Sequence, residues 1–153
     1  MALVKTYTGL KAILKTKLEG ILGGDSTKLL EAVYTQEETE ITGYPSALIT
    51  EFAGEGSILD TARNEREWQF QIQVLQSVGN NSSPEQASVI VLDAVDRILT
   101  SFDTDPQLID SNGEMQVLKV RVLPLDFAVL NREKPLAIAL LRVAVINTVS
   151  RTE

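Results

Sequence analysis

A nine-residue stretch, residues 66–74, constrains the fold more than any other part of the chain. It reads Arg-Glu-Trp-Gln-Phe-Gln-Ile-Gln-Val, so apolar and polar side chains alternate with a period of two. This period is that of a β-strand, in which successive side chains point to opposite faces of a sheet. The pattern predicts a strand that buries its apolar face in a core and offers its glutamine-rich face to a partner. The polar positions are Glu67, Gln69, Gln71 and Gln73.

The composition predicts a single globular domain. The chain has 153 residues, of which 44% are hydrophobic and 23% are charged, a balance typical of folded proteins of one domain. Its longest apolar run, residues 136–141, is far shorter than the roughly 20 residues that span a bilayer. We therefore expect one domain covering residues 1–153, made in a cytoplasm, with no membrane partner.

Two of the side chains most often used in catalysis are absent. The chain has no cysteine and no histidine, which removes thiol chemistry, disulfides, the usual general base and the commonest zinc ligand. Glu65 and Glu67 share one face of the predicted strand, but Arg66 does not, so the two carboxylates would repel each other without a cation between them. The sequence predicts no enzymatic activity, no metal and no cofactor.

Three short motifs resemble ligand-binding loops and lack a required residue. Residues 20–27 are rich in glycine but lack the lysine of a phosphate-binding loop, and residues 54–56 lack the third glycine of a dinucleotide turn. The acidic stretch 103–114 fails as an EF-hand because Leu108 and Lys119 fall at the first and last ligand positions. An acidic turn is the expected structure there, with a weak ion site as the alternative.

Charge is distributed unevenly along the chain. Residues 31–67 hold nine acids and two bases, whereas five lysines lie among the first 28 residues. Such a chain can attract copies of itself head to tail, although a merely solvated surface explains the same pattern. The net charge of −7 argues against binding to nucleic acid, because phosphate contacts require clustered Lys and Arg.

Periodicity and turn signals predict an α+β fold. We expect an antiparallel or mixed sheet of about four to five strands, with two main helices packed on one face. Ser83, Pro84 and Gln86 form a capping box that starts the second helix, and Pro124 is expected to end the strand over about 115–123. The predicted elements are a helix over about 3–22, a long hairpin over about 46–76, a helix over about 84–102, and strands over about 115–123 and 136–149.

This order of elements resembles the tail terminator (tail completion) proteins of long-tailed bacteriophages. The resemblance covers nearly the whole chain and rests on the N-terminal helix, the Tyr44-Pro45 strand start, the alternating strand, the capped helix and a closing strand ending in Leu-Arg-Val-Ala-Val-Ile-Asn. It implies a homo-hexameric ring in the virion, at the head-proximal end of the tail. The ring would cap the tail tube, stop its polymerisation and present a surface to the head.

The resemblance also implies partners and contact residues. The partners would be copies of the chain, the tail tube protein and a head–tail connector or neck protein, with DNA passing through the lumen without specific binding. Another connector or neck protein is the nearest alternative, and a small soluble ligand-binding domain or enzyme is a third. The candidate residues for subunit or tube contacts are Glu37, Glu38, Glu40, Arg63, Glu65, Arg66, Glu67, Gln69, Gln71, Gln73, Lys11 and Lys15.

Overall fold

The computed structural model describes residues 3–4, 6–24, 26–35, 43–51, 58–60, 65–79, 83–130 and 135–148, with only the backbone described for 58–60, Glu65 and Thr148. The described parts contain two helices and six strands. Their bounds are α1 Tyr7–Glu19, β1 Ala32–Tyr34, β2 Ser46–Glu51, β3 Ile58–Asp60, β4 Glu65–Ser77, α2 Pro84–Thr104, β5 Lys119–Leu130 and β6 Leu136–Thr148.

The strands form one mixed sheet. Its order is β1-β2-β4-β6-β5, and β3 also pairs with β4. The short β1 runs parallel to β2, and every other described pair is antiparallel. The predicted α+β fold is confirmed, and the sheet is the mixed one of the two expected kinds.

Both helices pack on the same face of the sheet. Helix α1 lies against β1 and β2, and α2 lies across β4, β5 and β6. Helix α2 begins as its capping box predicts, since the Ser83 hydroxyl accepts from the Gln86 N–H while the Gln86 side chain accepts from the Ser83 N–H. The first helix is shorter than expected, because the Thr6 side chain caps it and Gly20 follows its last residue.

The core lies between the helices and the apolar side of β4 and β6. Trp68 is 3% exposed, and Phe70, Ile72 and Val74 have no exposed surface. They pack with apolar residues of both helices, and Phe70 meets the Tyr7 ring edge to face at 5.5 Å between centroids. The apolar half of the alternating pattern is therefore the half that the helices cover.

A buried amide on β6 ties three segments together. Asn147 has no exposed surface; its Oδ1 accepts from the Leu118 N–H at 2.9 Å, and its Nδ2 donates to the Val4 carbonyl. The Val4 N–H in turn donates to the Gln116 carbonyl at 3.0 Å. Because a buried amide must be paired to be tolerated, Asn147 fixes the chain before α1 and the loop before β5.

The prediction that Pro124 ends the strand over about 115–123 is wrong. Strand β5 begins at Lys119, later than the expected residue 115, and continues through Pro124 to Leu130 with a register shift between Pro124 and Asp126. Proline is tolerated because β5 is the outer strand, where an N–H directed away from the sheet is not needed for pairing. The alternation of buried Val120 and Val122 with exposed Lys119 and Arg121 is as expected.

Candidate functional site

The side of β4 that faces away from the helices carries Gln69, Gln71 and Gln73, here called the glutamine face. All three side chains are half-buried. Gln71 lies between Thr50 of β2 and Arg142 of β6, and Gln73 lies between Leu48 and Leu140. The sheet register therefore surrounds a row of neutral amides with one cation and a few apolar side chains, and no described helix covers it.

A short hydrogen-bonded chain organises one end of the glutamine face. Arg142 donates from its guanidinium to Gln69 Oε1, and Gln69 Nε2 donates to Glu67 Oε2 at 3.2 Å. The amide thus links a cation to a carboxylate across two strands. This arrangement holds the side chains in defined positions without leaving a bare charge at the centre of the face.

Arg66 lies on the other side of β4, as the two-residue period predicts. Its guanidinium carbon lies 5.8 Å from the centre of the Trp68 ring, in the range of a cation–π contact. Of the predicted contact residues on this strand, Glu67 and the three glutamines therefore form one surface, and Arg66 belongs to another.

Several predicted contact residues fall outside the described residues. Glu37, Glu38, Glu40 and Arg63 are among them, and only the backbone of Glu65 is described. Their assignment to a subunit or tube interface stays a prediction.

The N-terminal lysines are largely paired within the chain. Lys11 Nζ lies 2.5 Å from a Glu51 carboxylate oxygen, Lys17 Nζ lies 3.0 Å from Asp105 Oδ2, and Lys28 Nζ lies 3.9 Å from Glu31 Oε1. The hydrogen bond from Lys11 is the largest cause of a lowered pKa of Glu51. These pairs leave less of the basic segment's charge for a neighbouring copy. Lys15, one turn after Lys11, is half-exposed on α1.

A cleft of about 580 Å³ lies between α1, the end of α2 and the loop that follows α2. Lys17, Asp105 and Asp110 line it; Lys17 pairs with Asp105, and the Asp110 side chain accepts from the N–H groups of Asn112 and Glu114. Among the described residues, no three His, Cys, Asp or Glu side chains are grouped as metal ligands. The absence of enzymatic activity stays a prediction.

A group of exposed apolar side chains at the outer edge of the sheet was not predicted from the sequence. Eight large apolar side chains of the described residues are exposed, and six of them belong to α2 or to the second half of β5. Phe127 and Val129 point to the helix side of the sheet, opposite the buried Ala139 and Ala137, and Leu92 of α2 shares a groove with Phe127. The six are Val89, Leu92, Leu123, Leu125, Phe127 and Val129, of which Leu123, opposite Arg142, lies on the glutamine side of the sheet.

A signal for this surface is present in the sequence. Residues 123–130 read Leu-Pro-Leu-Asp-Phe-Ala-Val-Leu and carry a single charge, Asp126. Such a stretch is a strand pattern in which a proline indicates an edge position as readily as an end. Because Pro124 was expected to end the strand, the exposed half of β5 was not predicted.

Neither helix has the length and hydrophobicity needed to cross a bilayer, within the part of the chain that the structure describes. No protein-family model and no curated protein matches this sequence.

Proposed function

We propose that this protein is a tail terminator of a long-tailed bacteriophage, a structural protein that forms a homo-hexameric ring on the end of the tail tube. The ring ends tube polymerisation and provides the surface to which the head attaches. The proposal rests on the resemblance in element order, to which the α+β fold with two helices on one face of the sheet adds support.

The main observation in support of the proposal is that the glutamine face is a sheet surface of neutral amides that no described helix covers. Burying such a surface against another protein avoids the desolvation of full charges, and the amides can pair with a partner's backbone or side chains. Hydrogen bonds link Arg142, Gln69 and Glu67, so these side chains are ordered before a partner binds. A preordered polar surface suits a permanent assembly contact, because less side-chain entropy is lost on binding.

Within the proposed ring, the remaining acidic surface has a simple role. The net charge of −7 disfavours adhesion of DNA. DNA would pass through the lumen without specific binding, while the glutamine face contacts the tube or a neighbouring subunit. A head–tail connector or neck protein would be the partner on the head side.

The deciding experiment is electron microscopy of particles from the parent phage or prophage without this gene. We expect abnormally long, headless tail tubes beside full heads without tails, because nothing stops the tube or seals the joint. Tubes of normal length would contradict the terminator role and favour a connector or neck protein.

Complementation of the same deletion tests the glutamine face. A copy with Gln71→Lys places a cation in the centre of the face, and we expect it not to restore normal tails. The matched control is Glu114→Lys, which puts the same side chain on an exposed position of the loop that follows α2, and it should restore them. Equal rescue by both copies would remove the glutamine face from the proposal.

A thermal-shift screen with nucleotides and divalent metals tests the remaining class of function. We expect no strong stabilisation by any of them. A large increase in melting temperature with one compound would instead favour a ligand-binding domain or an enzyme, because a ligand that binds only the folded state raises its stability.

A further inference from the structure

We infer that copies of this chain associate head to tail, with Lys119, Arg121 and Leu123 of β5 in one copy docked on the outer surface of α2 in the next. The inference rests on the proposed function, because it names the neighbouring subunit as the occupant of the glutamine side of the sheet. A contact between two different surfaces leaves one of each unused, so it builds a ring when the rotation closes.

The glutamine side of the sheet continues onto the outer strand and becomes basic there. The register of β4, β6 and β5 puts Lys119, Arg121 and Leu123 in the same three rows as Glu67, Gln69 and Gln71. All three side chains of β5 are exposed, Leu123 by 57%. No described acid pairs with Lys119 or Arg121. These three residues, here called the basic strip, therefore present two cations beside one apolar side chain.

The outward side of α2 has the opposite charge. The helix contains four acids and one base, and all four acids are exposed. The base, Arg97, bonds Asp93 at 2.9 Å. At about 100° per residue, five other exposed side chains fall within an arc of about 60°. This acidic stripe consists of Glu85, Val89, Leu92, Asp96 and Asp103. Its three acids have no ion-pair partner among the described residues, and its two apolar side chains are 66% and 46% exposed.

The basic strip and the acidic stripe cannot neutralise each other within one copy. Helix α2 packs on one side of the sheet and the basic strip lies on the other, so the sheet separates the two. The last turn of α2 contains no base, and Asp103 adds a carboxylate to the negative end of the helix dipole. A cation from a second copy would offset that unfavourable interaction. Complementary charge on opposite sides of one domain suits a head-to-tail contact.

The order of side chains also matches between the two surfaces. Counted back along β5 from the leucine of the basic strip, Arg121 follows at about 7 Å and Lys119 at about 13 Å. Along α2 from Leu92, Asp96 follows at about 6 Å and Asp103 at about 16 Å. With the two leucines in contact, each cation therefore lies near a carboxylate, and the length of the lysine side chain spans the remaining difference.

Sedimentation equilibrium of charge-reversed variants tests the contact. We expect the native chain to assemble beyond two copies. Arg121→Glu and Asp96→Arg each oppose like charges, so each alone should raise the concentration needed for assembly by about tenfold. An equimolar mixture of the two should assemble as the native chain does, because every contact between alternating variants pairs opposite charges. Lys15→Glu makes the same kind of charge change on α1 and, as the control, should assemble normally.

Three results would overturn the inference. They are a single-copy mass for the native chain at every concentration, a mixture that assembles no better than its two components, and a loss of assembly in Lys15→Glu equal to that in Arg121→Glu. These masses are measured on purified protein without phage. Normal tail tubes after deletion of the gene would therefore remove the tail terminator role and leave a measured contact standing, whereas long tubes beside a single-copy mass would do the reverse.

Chemical cross-linking tests which surfaces meet, and the chain contains no cysteine to interfere. With a short bis-maleimide linker, we expect Leu123→Cys to link to Leu92→Cys when the two proteins are mixed. Each variant alone should stay unlinked, because the introduced thiol then meets a leucine of the neighbouring copy. Linking of either variant to itself as efficiently as in the mixture would contradict the head-to-tail contact.

Discussion

The two sides of β4 share one backbone but differ in the burial of their side chains. On one side Phe70, Ile72 and Val74 have no exposed surface and pack under both helices, whereas on the other Gln69 and Gln71 are half-buried in a sheet face that neither described helix covers. The first side contributes stability through buried apolar area. The second contributes little to folding, so its residue types are free to suit a partner. The proposed function would therefore assign stability and recognition to alternate residues of one strand.

The largest effect is expected on the covered side. Phe70→Ala should lower the free energy of unfolding by about 3–5 kcal/mol, because it leaves a cavity and removes the contact with Tyr7. Urea unfolding followed by tryptophan fluorescence measures it. The neighbouring Gln71→Ala is the control and should change the free energy by less than about 0.5 kcal/mol. Equal effects of the two substitutions would contradict the division between the two sides.

A smaller loss is expected at the buried amide of β6, where a polar residue belongs to the covered side. Asn147→Ala removes the donor to the Val4 carbonyl and the side-chain acceptor of the Leu118 N–H, which keeps its 3.2 Å bond to the Ile146 carbonyl, and should cost about 1–3 kcal/mol. Asn112→Ala, at an exposed turn position, is the matched control. Denaturant unfolding checks the prediction; a free energy of unfolding in Asn147→Ala equal to that of the native chain would show that the buried amide is not needed for stability.

The ion pair between Lys11 and Glu51 should have a smaller, pH-dependent effect. The pKa of Glu51 is lowered from its ordinary 4.5, so the pair stabilises the fold above about that pH, and the contribution is lost as the pH falls through the folded-state value. Since Glu51 is half-exposed, Lys11→Met should cost less than about 1 kcal/mol near neutral pH.

Carbon-detected NMR titration of the Glu51 carboxyl measures this shift directly. Its pKa should rise toward the ordinary value in Lys11→Met and stay lowered in Lys15→Met, which removes a lysine from the same helix. An unchanged titration in Lys11→Met would mean that the pair does not form in solution.

The smallest effect on folding is expected on the glutamine face. Gln69→Ala removes the amide between Arg142 and Glu67 and should change the free energy of unfolding by less than about 0.5 kcal/mol. The same variant should lower the yield of normal tails in complementation, if the face is the assembly contact. A loss of stability comparable to that of Asn147→Ala would show that the network supports the fold instead.

Local signals predicted most of the secondary structure. The capping box at Ser83 locates the start of α2, and the period of β4 identifies both of its faces without reference to any other element. The apolar pattern of 136–149 indicates a central strand, and β6 does lie between β4 and β5. Each of these signals depends on neighbouring residues in the chain, which is why a sequence alone displays it.

Only part of the candidate surfaces could be predicted from the sequence. The glutamines could be found because their spacing is local, but Arg142, which bonds Gln69, lies 73 residues away in the chain. The internal pairing of Lys11 with Glu51 likewise depends on how α1 lies on β2. The exposed half of β5 was not predicted because a proline can mark either the end of a strand or an edge strand. Only the position of the strand within its sheet distinguishes the two.

The sequence by itself determined that this chain forms an α+β domain and that β4 has an apolar and an amide side, since period, capping and turn chemistry act over a few residues. It also determined, through the absence of cysteine and histidine, that the chain has no thiol and no imidazole side chain. Only the tertiary structure decided which strand became the outer edge, which lysines were neutralised and which apolar side chains remained exposed. Those outcomes depend on contacts between residues far apart in sequence, whose free energies are settled only when the whole sheet and its two helices have packed.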